Sequence, residues 1–375
     1  MQAALRQEGF DGSHWDDGED STAGYDSRCA CRFGDRDSRE GQVALWGVWL
    51  QFLGCMALIG VAGVHLSRQG EVIAGLTGWS RGWIGLVLVA TVTSLPELVT
   101  GLGAVRVAGS PDLAAGDALG SCVFNLLLVA GVDGLYRRGS LFVLASSSHV
   151  FSAAWSVGAL ALVGLTLLLS PQGRVPVLGH VSLTSLALLL LYLMAVRALY
   201  RIENRRAESP VAGPGPDRPA LRRAVMVYLL AALIIVAAGL WLPVVGAALA
   251  RQMGWTDSLV GTLLMALVTS VPEMAATWGA LRVGAVDMAL GNLLGSNLFD
   301  LLILGLDDLA YPVGPLYAAL APAQAYTALV AILMNAVVMG ALVYRPARRL
   351  WGTVSPAGAM LVGLYLLNIW LQAAP

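Results

Sequence analysis

The chain has 375 residues, a formal net charge of −1, and 13% charged against 57% hydrophobic residues, with a mean hydropathy of +0.71. That is about half the charge of an average soluble domain, too little to cover a water-facing surface, so a soluble globule is excluded. The near-neutral balance excludes a nucleic-acid binder that works through basic charge. Cys29, Cys31, Cys55 and Cys122 form no CxxC or Cys/His pattern with metal spacing, which leaves a polytopic membrane protein.

Residues 1–42 carry ten acidic and five Arg residues and no apolar run, the composition of a disordered acidic tail. No secretory signal pattern precedes them. Beyond the tail, a ruler of about 20 apolar residues per helix marks ten spans: 43–66, 82–106, 112–133, 140–170, 176–199, 223–250, 256–281, 286–307, 316–344 and 350–373. The span 140–170 reads as one helix with an interfacial lead-in at Ser146, Ser147, Ser148 and His149. Long unbroken runs without alternation argue against strands. Loops after the odd-numbered spans hold 15 Arg and those after the even-numbered spans three. By the positive-inside rule the central linker 200–222 is cytoplasmic and both termini lie outside a cell (inner) membrane.

Two stretches recur about 176 residues apart. ATVTSLPELVTGLGAVRV from Ala90 matches ALVTSVPEMAATWGALRV from Ala266, and DLAAGDALGSCVFNLLLV from Asp112 matches DMALGNLLGSNLFDLLIL from Asp287. The first copy has one extra residue, around Gly109 and Ser110. An odd number of spans separates the copies, so the second enters the membrane in the opposite sense. The expected fold is an all-α polytopic membrane protein with about ten transmembrane helices in two inverted-topology five-helix repeats, 43–199 and 223–375. In that layout a substrate site lies near the midplane between the halves.

Glu97 and Glu273 fall mid-span, where a carboxylate costs about 2.5–3.5 kcal/mol to insert and needs a compensating role. Pro96 and Pro272 deprive the carbonyls of Val92 and Val268 of their helical donors. Backbone oxygen at that depth is tolerable where it lines a cavity or holds an ion. Thr93, Ser94, Thr269 and Ser270 add hydroxyls to the same broken turns. Ser121 with Asn125, and Ser296 with Asp300, are spaced by four and share a helix face. This is a set of hard oxygen ligands suited to sodium or calcium. Gly116, Gly120, Gly291 and Gly295 make thin faces for helix packing. Asp133, Asp307 and Asp308 sit at helix ends and read as solvated, as do His65, His149 and His180.

The paired TSxPE and GSxxFN/D motifs resemble the two alpha-repeats of the sodium/calcium exchanger branch of the cation/calcium antiporter superfamily. The resemblance implies a site built from Glu97, Glu273, Asp300 and Asn125 with Thr93, Ser94, Thr269, Ser270, Ser121 and Ser296, and with backbone carbonyls from Ala90 and Ala266. It implies calcium on the two glutamates, sodium competing for the same oxygens, and alternating access by sliding of helices 1 and 6. The sequence departs from the family in having Val92 and Val268 before TS, where the family usually has Gly. It also has Asp117 and Cys122 where the second copy keeps Asn292 and Asn297. Asp117 adds a carboxylate that either accepts a proton or bonds across helices.

The leading expectation is secondary sodium/calcium antiport that extrudes calcium, with a proton-coupled calcium or other divalent cation antiporter as the alternative. No cofactor is expected beyond the transported ions; the expected partners are calcium and sodium, with protons in the alternative, and the lipid bilayer, with no nucleic acid and the oligomeric state left open. An enzyme is not expected: intramembrane hydrolysis lacks a zinc motif or a GxSxG elbow. A channel is disfavoured by midplane carboxylates in an inverted repeat, and a silent scaffold by the retention of both glutamates.

Overall fold

Prolines, glycines and capping hydroxyls mark several of the helix ends, among them Ser110 and Pro111, Gly109, and Thr256. The structure, a computed structural model, describes residues 27–77, 90–136, 141–204, 218–346, 349–350 and 353–373. The chain divides into two units, Met1–Ala44 and Leu45–Pro375. In the first, residues 27–44 are helical where a disordered tail is expected to residue 42. No proline or other strong breaker stops helix α1, Ser27–Thr77. The rest of the expected tail, 1–26, lies outside the described residues.

In the second unit the first repeat begins with the membrane stretch of α1, Leu45–Ile73. It continues with α2 (Ala90–Thr93), α3 (Leu95–Gly103) with a π turn (Ala104–Ala108), α4 (Pro111–Leu135), α5 (Leu141–Leu144) and α6 (Ser148–Leu169). A two-stranded hairpin, β1 (Val177–Leu178) and β2 (Val181–Ser182), leads into α7 (Leu183–Asn204). The second repeat has α8 (Arg218–Met253), α9 (Asp257–Leu259) with a π turn (Val260–Met265), α10 (Ala266–Thr269), α11 (Val271–Arg282) and α12 (Val286–Ala310). It ends with α13 (Leu316–Ala319), α14 (Ala323–Tyr344) and α15 (Pro356–Ala373). Among the described residues eight helices are long and apolar enough to cross a membrane, and the pair Asp257–Thr269 and Val271–Arg282, bent by 44°, makes nine. The remaining expected span, 82–106, is described from residue 90 on, and its break after α2 repeats the break after α10. The fold is an all-α polytopic membrane protein of two inverted repeats.

Several boundaries differ from those expected. The spans 140–170 and 316–344 are each two helices, α5 with α6 and α13 with α14. At the first break the Ser146 N–H bonds Asp287 at 2.7 Å and the Ser148 N–H bonds the Ser146 hydroxyl at 3.3 Å. The donors are satisfied without a continuing helix. At the second break the Ala321 N–H bonds Asp112 at 2.8 Å. Among the described residues the strands, not expected, are the β1–β2 hairpin and a bridge between Leu350 and Val354, at matching places before α7 and α15. The linker expected at 200–222 is shortened by helix at both ends, with 205–217 outside the described residues. The extra residue of the first copy is housed in the π turn before Gly109, whose φ of 66° closes the helix in the left-handed region.

Asp133, Asp307 and Asp308 are fully buried, not solvated. Asp133 accepts the Ser355 N–H at 2.8 Å, and Asp308 accepts the Ser182 N–H at 2.8 Å, the Ser185 hydroxyl and the Leu316 N–H at 2.6 Å. Each ties the end of one repeat's third span to the start of the other repeat's fifth, where helical N–H groups lack internal partners. His149 is buried as well and lies 3.0 Å from Asp287. Its repeat counterpart Gln324 bonds the Asp112 carbonyl at 3.0 Å.

The first helices of the repeats also correspond, VAGVHL from Val61 with AAGLWL from Ala237, yet they seat differently. A Cβ on Gly63 would meet Pro272 at 2.2 Å, whereas one on the equivalent Gly239 would meet Val99 at 3.0 Å. In repeat register Pro272 corresponds to Pro96, so the two contacts differ by three residues, about 4.5 Å along a helix. Gly63→Ala should force the Pro272 ring aside at a cost of about 1–3 kcal/mol and lower the thermal midpoint of the purified protein. Gly47→Ala, with nothing within 4 Å, should leave the midpoint unchanged or raise it. Equal midpoints for the two variants would refute this seating of α1.

Candidate cation site between the two helix breaks

Ser94 and Ser270 sit between helix segments with nearly the same backbone, φ −87° ψ 17° and φ −82° ψ 6°. Pro96 and Pro272 stand in the first turn of α3 and α11, where a missing N–H costs the new helix nothing. Glu97 and Glu273 lie in the same turns, where the exposed N–H groups favour negative charge.

The two breaks are joined crosswise. Ser94 donates to Glu273 Oε1 at 3.0 Å, and Ser270 donates to Glu97 Oε1 at 3.5 Å. Thr93 donates to Asn292 at 3.5 Å and Thr269 to Asp117 at 2.9 Å. The hydroxyls of each repeat thus serve acceptors of the other. The α4 and α12 helices complete the arrangement: Ser121 pairs with the Ser270 hydroxyl at 3.3 Å, and Ser296 donates to Glu273 Oε1 at 3.4 Å. Asn297 donates its amide to the Cys122 carbonyl at 3.3 Å, while the Cys122 thiol faces the Asn297 carbonyl at 3.7 Å. Close approach of α4 to the second break needs its glycines: a Cβ on Gly120 would lie 2.6 Å from the Thr262 carbonyl oxygen.

Every one of these side chains is at most 3% exposed. What they lack is donors. Glu97 Oε2, Glu273 Oε2, Asp117 Oδ2, Asn125 Oδ1, Asn297 Oδ1 and both carboxylate oxygens of Asp300 have no hydrogen-bond partner. The acids that are bonded face hydroxyls rather than basic groups. Buried acceptors of this kind are normally satisfied, and leaving them bare is costly. A hard cation supplies what donors do not, so the residues fit a cation as cargo.

All ten side chains expected in the site lie in this buried region, and the hydrogen bonds join six of them to one another: Ser94 and Ser296 with Glu273, and Ser121 and Glu97 with Ser270. Asn125 Oδ1 and both carboxylate oxygens of Asp300 stand without partners, the Thr93 hydroxyl turns to Asn292, and the hydroxyl of Thr269 turns to Asp117 and to the Met265 carbonyl at 3.0 Å. Among the described residues, no three acidic, His or Cys side chains stand close enough to hold a metal ion by themselves. Three like charges stay apart in a low-dielectric interior until a cation screens them, and the hydroxyl and amide oxygens must share the coordination. The Ala266 carbonyl, expected as a ligand, already accepts the Ser270 N–H at 3.1 Å and the Thr269 hydroxyl at 3.4 Å. Ala90 is the first residue of α2. The expected set omits Asn292, which donates to the Glu273 carbonyl and to Thr277, both at 3.2 Å. Its place opposite Asp117 in the repeat was the available signal.

Asp300 is the acid of this cluster with neither carboxylate oxygen bonded. Asp300→Asn should leave the melting midpoint without calcium unchanged or higher. If calcium binds here, the substitution should also remove most of the stabilisation by added calcium, about 2.7 kcal/mol at a hundredfold excess over Kd. Undiminished calcium stabilisation in this variant, read by thermal shift, would remove Asp300 from the site.

Comparison with known proteins follows the repeat. The family described as "Sodium/calcium exchanger protein" matches residues 47–201 and 223–374. A putative antiporter, CaxA of Alkalimonas amylolytica, is 31% identical over 257 residues, covering 67% of this chain and 76% of that protein. The sodium/calcium exchanger MaX1 of Methanosarcina acetivorans is 46% identical over 65 residues, 17% of this chain and 19% of its own length. A solved structure of the sodium-calcium exchanger NCX_Mj, soaked with sodium and strontium, shares the fold with a TM-score of 0.55. It is 24% identical, and the match covers 88% of this chain and 98% of that one.

Proposed function

Because the chain belongs to the sodium/calcium exchanger protein family, a family of membrane transporters, we propose that it exchanges calcium for sodium at the oxygen cluster between its two helix breaks. The observation that carries this reading is the shortage of donors around Glu97, Glu273, Asp300 and Asn125. Calcium brings two charges and sodium one, and both coordinate through oxygen. Ions that share ligands exclude one another, and antiport follows from that exclusion. Release of either ion leaves bare carboxylates in a buried site, a state too costly to persist without a replacement cation.

Access alternates in this reading by movement of α1 and α8 across the breaks. The three-residue difference between the seats of Gly63 and Gly239 supports it, since an exchange of seats between the repeats produces the oppositely facing arrangement. The Arg distribution orients the central linker to the cytoplasm and both termini outside, so that sodium entry drives calcium out of the cell.

A second reading, proton-coupled exchange, is favoured by Asp117. It occupies the place of Asn292, is 1% exposed, and keeps one oxygen without a donor. Calcium uptake into proteoliposomes separates the two readings. Uptake driven by an outward sodium gradient and not by a pH gradient supports sodium coupling. Uptake driven by the pH gradient alone supports proton coupling, and in that case Asp117→Asn should flatten the pH dependence. Glu97→Gln and Glu273→Gln should each lower uptake at least about 100-fold, the scale of removing one partner from a buried charge cluster. Wild-type flux in either variant, or no uptake under either gradient, overturns the calcium site.

A further inference from the structure

Asp307 takes no part in the cluster described above. It lies on α12 seven residues beyond Asp300, two turns along the same helix face and about 10 Å away. Its side chain is 0% exposed, and neither carboxylate oxygen has a hydrogen-bond partner. The carboxylate rests on Gly101 of α3, where a Cβ would come within 2.5 Å of Oδ2 and 2.7 Å of Oδ1. Gly101 in turn lies one helical turn past Glu97 on the same face. The seam between α3 and α12 therefore carries acids at two levels, Glu97 with Asp300 and, one step further along, Asp307.

The other repeat shows what this seam is without the acid. Gly101 corresponds to Thr277, whose hydroxyl accepts from Asn292 at 3.2 Å, and Asp307 corresponds to Val132. Glycine and aspartate meet in this seam, and threonine and valine stand at the equivalent positions of the other copies. Asp133 and Asp308 have an evident structural use in holding backbone N–H groups. Asp307 holds none.

A bare carboxylate in this position is an uncompensated buried charge. A metal ion requires several oxygen ligands, and the one acid that reaches this point supplies two. A proton requires a single lone pair. We propose that Asp307 is a proton-binding site, separate from the cation cluster, that loads and unloads a proton at the second level of the α3–α12 seam. Charged or titratable groups on the described elements packed around α12 are Glu97 on α3, Arg106 on the π turn, Asp112, Asp117, Cys122 and Asp133 on α4, Tyr192, Arg197, Tyr200 and Arg201 on α7, Tyr317 on α13 and the adjoining Asp308. Glu273 on α11 and His149 on α6 meet α12 nearer its start. None of them bonds Asp307, and Arg106 is exposed.

The inference deepens the transport reading by adding a proton step beside the cation site, so its test needs an arm that does not depend on transport. Infrared difference spectra between acid and alkaline pH, taken on the full chain in lipid, report the carbonyl stretch of a buried protonated carboxyl. That band should be present in the wild type, absent from Asp307→Asn and Asp307→Val, and retained in Asp117→Asn. The double variant Gly101→Thr with Asp307→Val rebuilds the seam of the other repeat and serves if the single variants fold poorly. In proteoliposomes the same variants should lose one titrating step from the pH profile of calcium flux. A band unchanged in the Asp307 variants, or a pH profile identical to wild type, overturns the proposal. If the wild type carries no calcium at all, the site reading falls, while the infrared arm still decides whether Asp307 binds a proton.

Discussion

The central constraint in this protein is a shortage of hydrogen-bond donors at the point where two broken helices meet. At this depth each buried acceptor must find a partner or be matched by an ion. The hydroxyls of Ser94 and Ser270 meet part of the need by reaching across to Glu273 and Glu97. They can do so only if the two breaks face each other, which fixes how the repeats are placed. Proline enforces the breaks, and glycines on α4 let the helices come close enough for hydroxyls to bridge. The remaining oxygens of Asp300, Glu97, Glu273 and Asn125 are what makes the interior hospitable to a cation.

Around that centre the repeats are clasped by aspartates at both ends of α4 and α12. Asp112 and Asp287 hold the breaks before α14 and α6, and Asp133 and Asp308 hold the starts of α15 and α7. All four reach into the other repeat. Neither half has its helix ends satisfied by itself, which is why Leu45–Pro375 is one unit although the sequence divides so readily in two. The pseudo-symmetry is incomplete where chemistry differs: Asp117 faces Asn292 in the alignment, Gly101 faces Thr277 and Val132 faces Asp307.

The spans and the repeat were legible in the sequence because both are written locally, in apolar runs of bilayer length and in polar residues that recur at one spacing. The paired prolines told where the helices break and which oxygens gather there. The fates of Asp133, Asp307, Asp308 and His149 were not legible. An acid or imidazole at the end of an apolar run looks the same whether water receives it or a distant helix start does. The partners of Asp133 and Asp308 lie 222 and 126 residues away, beyond the reach of any periodicity. The breaks at 145–147 and before Ala323 escaped notice for a similar reason, since the acceptors that stabilise them belong to the opposite repeat.

The clasp between Asp133 and Ser355 also bears on how the chain is made. The carboxylate emerges from the ribosome 222 residues before the N–H that it will bind. At about 5–20 residues per second, that is a wait on the order of 10–45 s. Asp308 has no such delay, because Ser182 and Ser185 precede it. For that interval α4 has to rest in the membrane with an acid that its final structure has not yet covered. Biogenesis therefore has a vulnerable window that closes only when α15 arrives, and a truncation that removes α15 leaves the first repeat, rather than the second, with the unmatched acid.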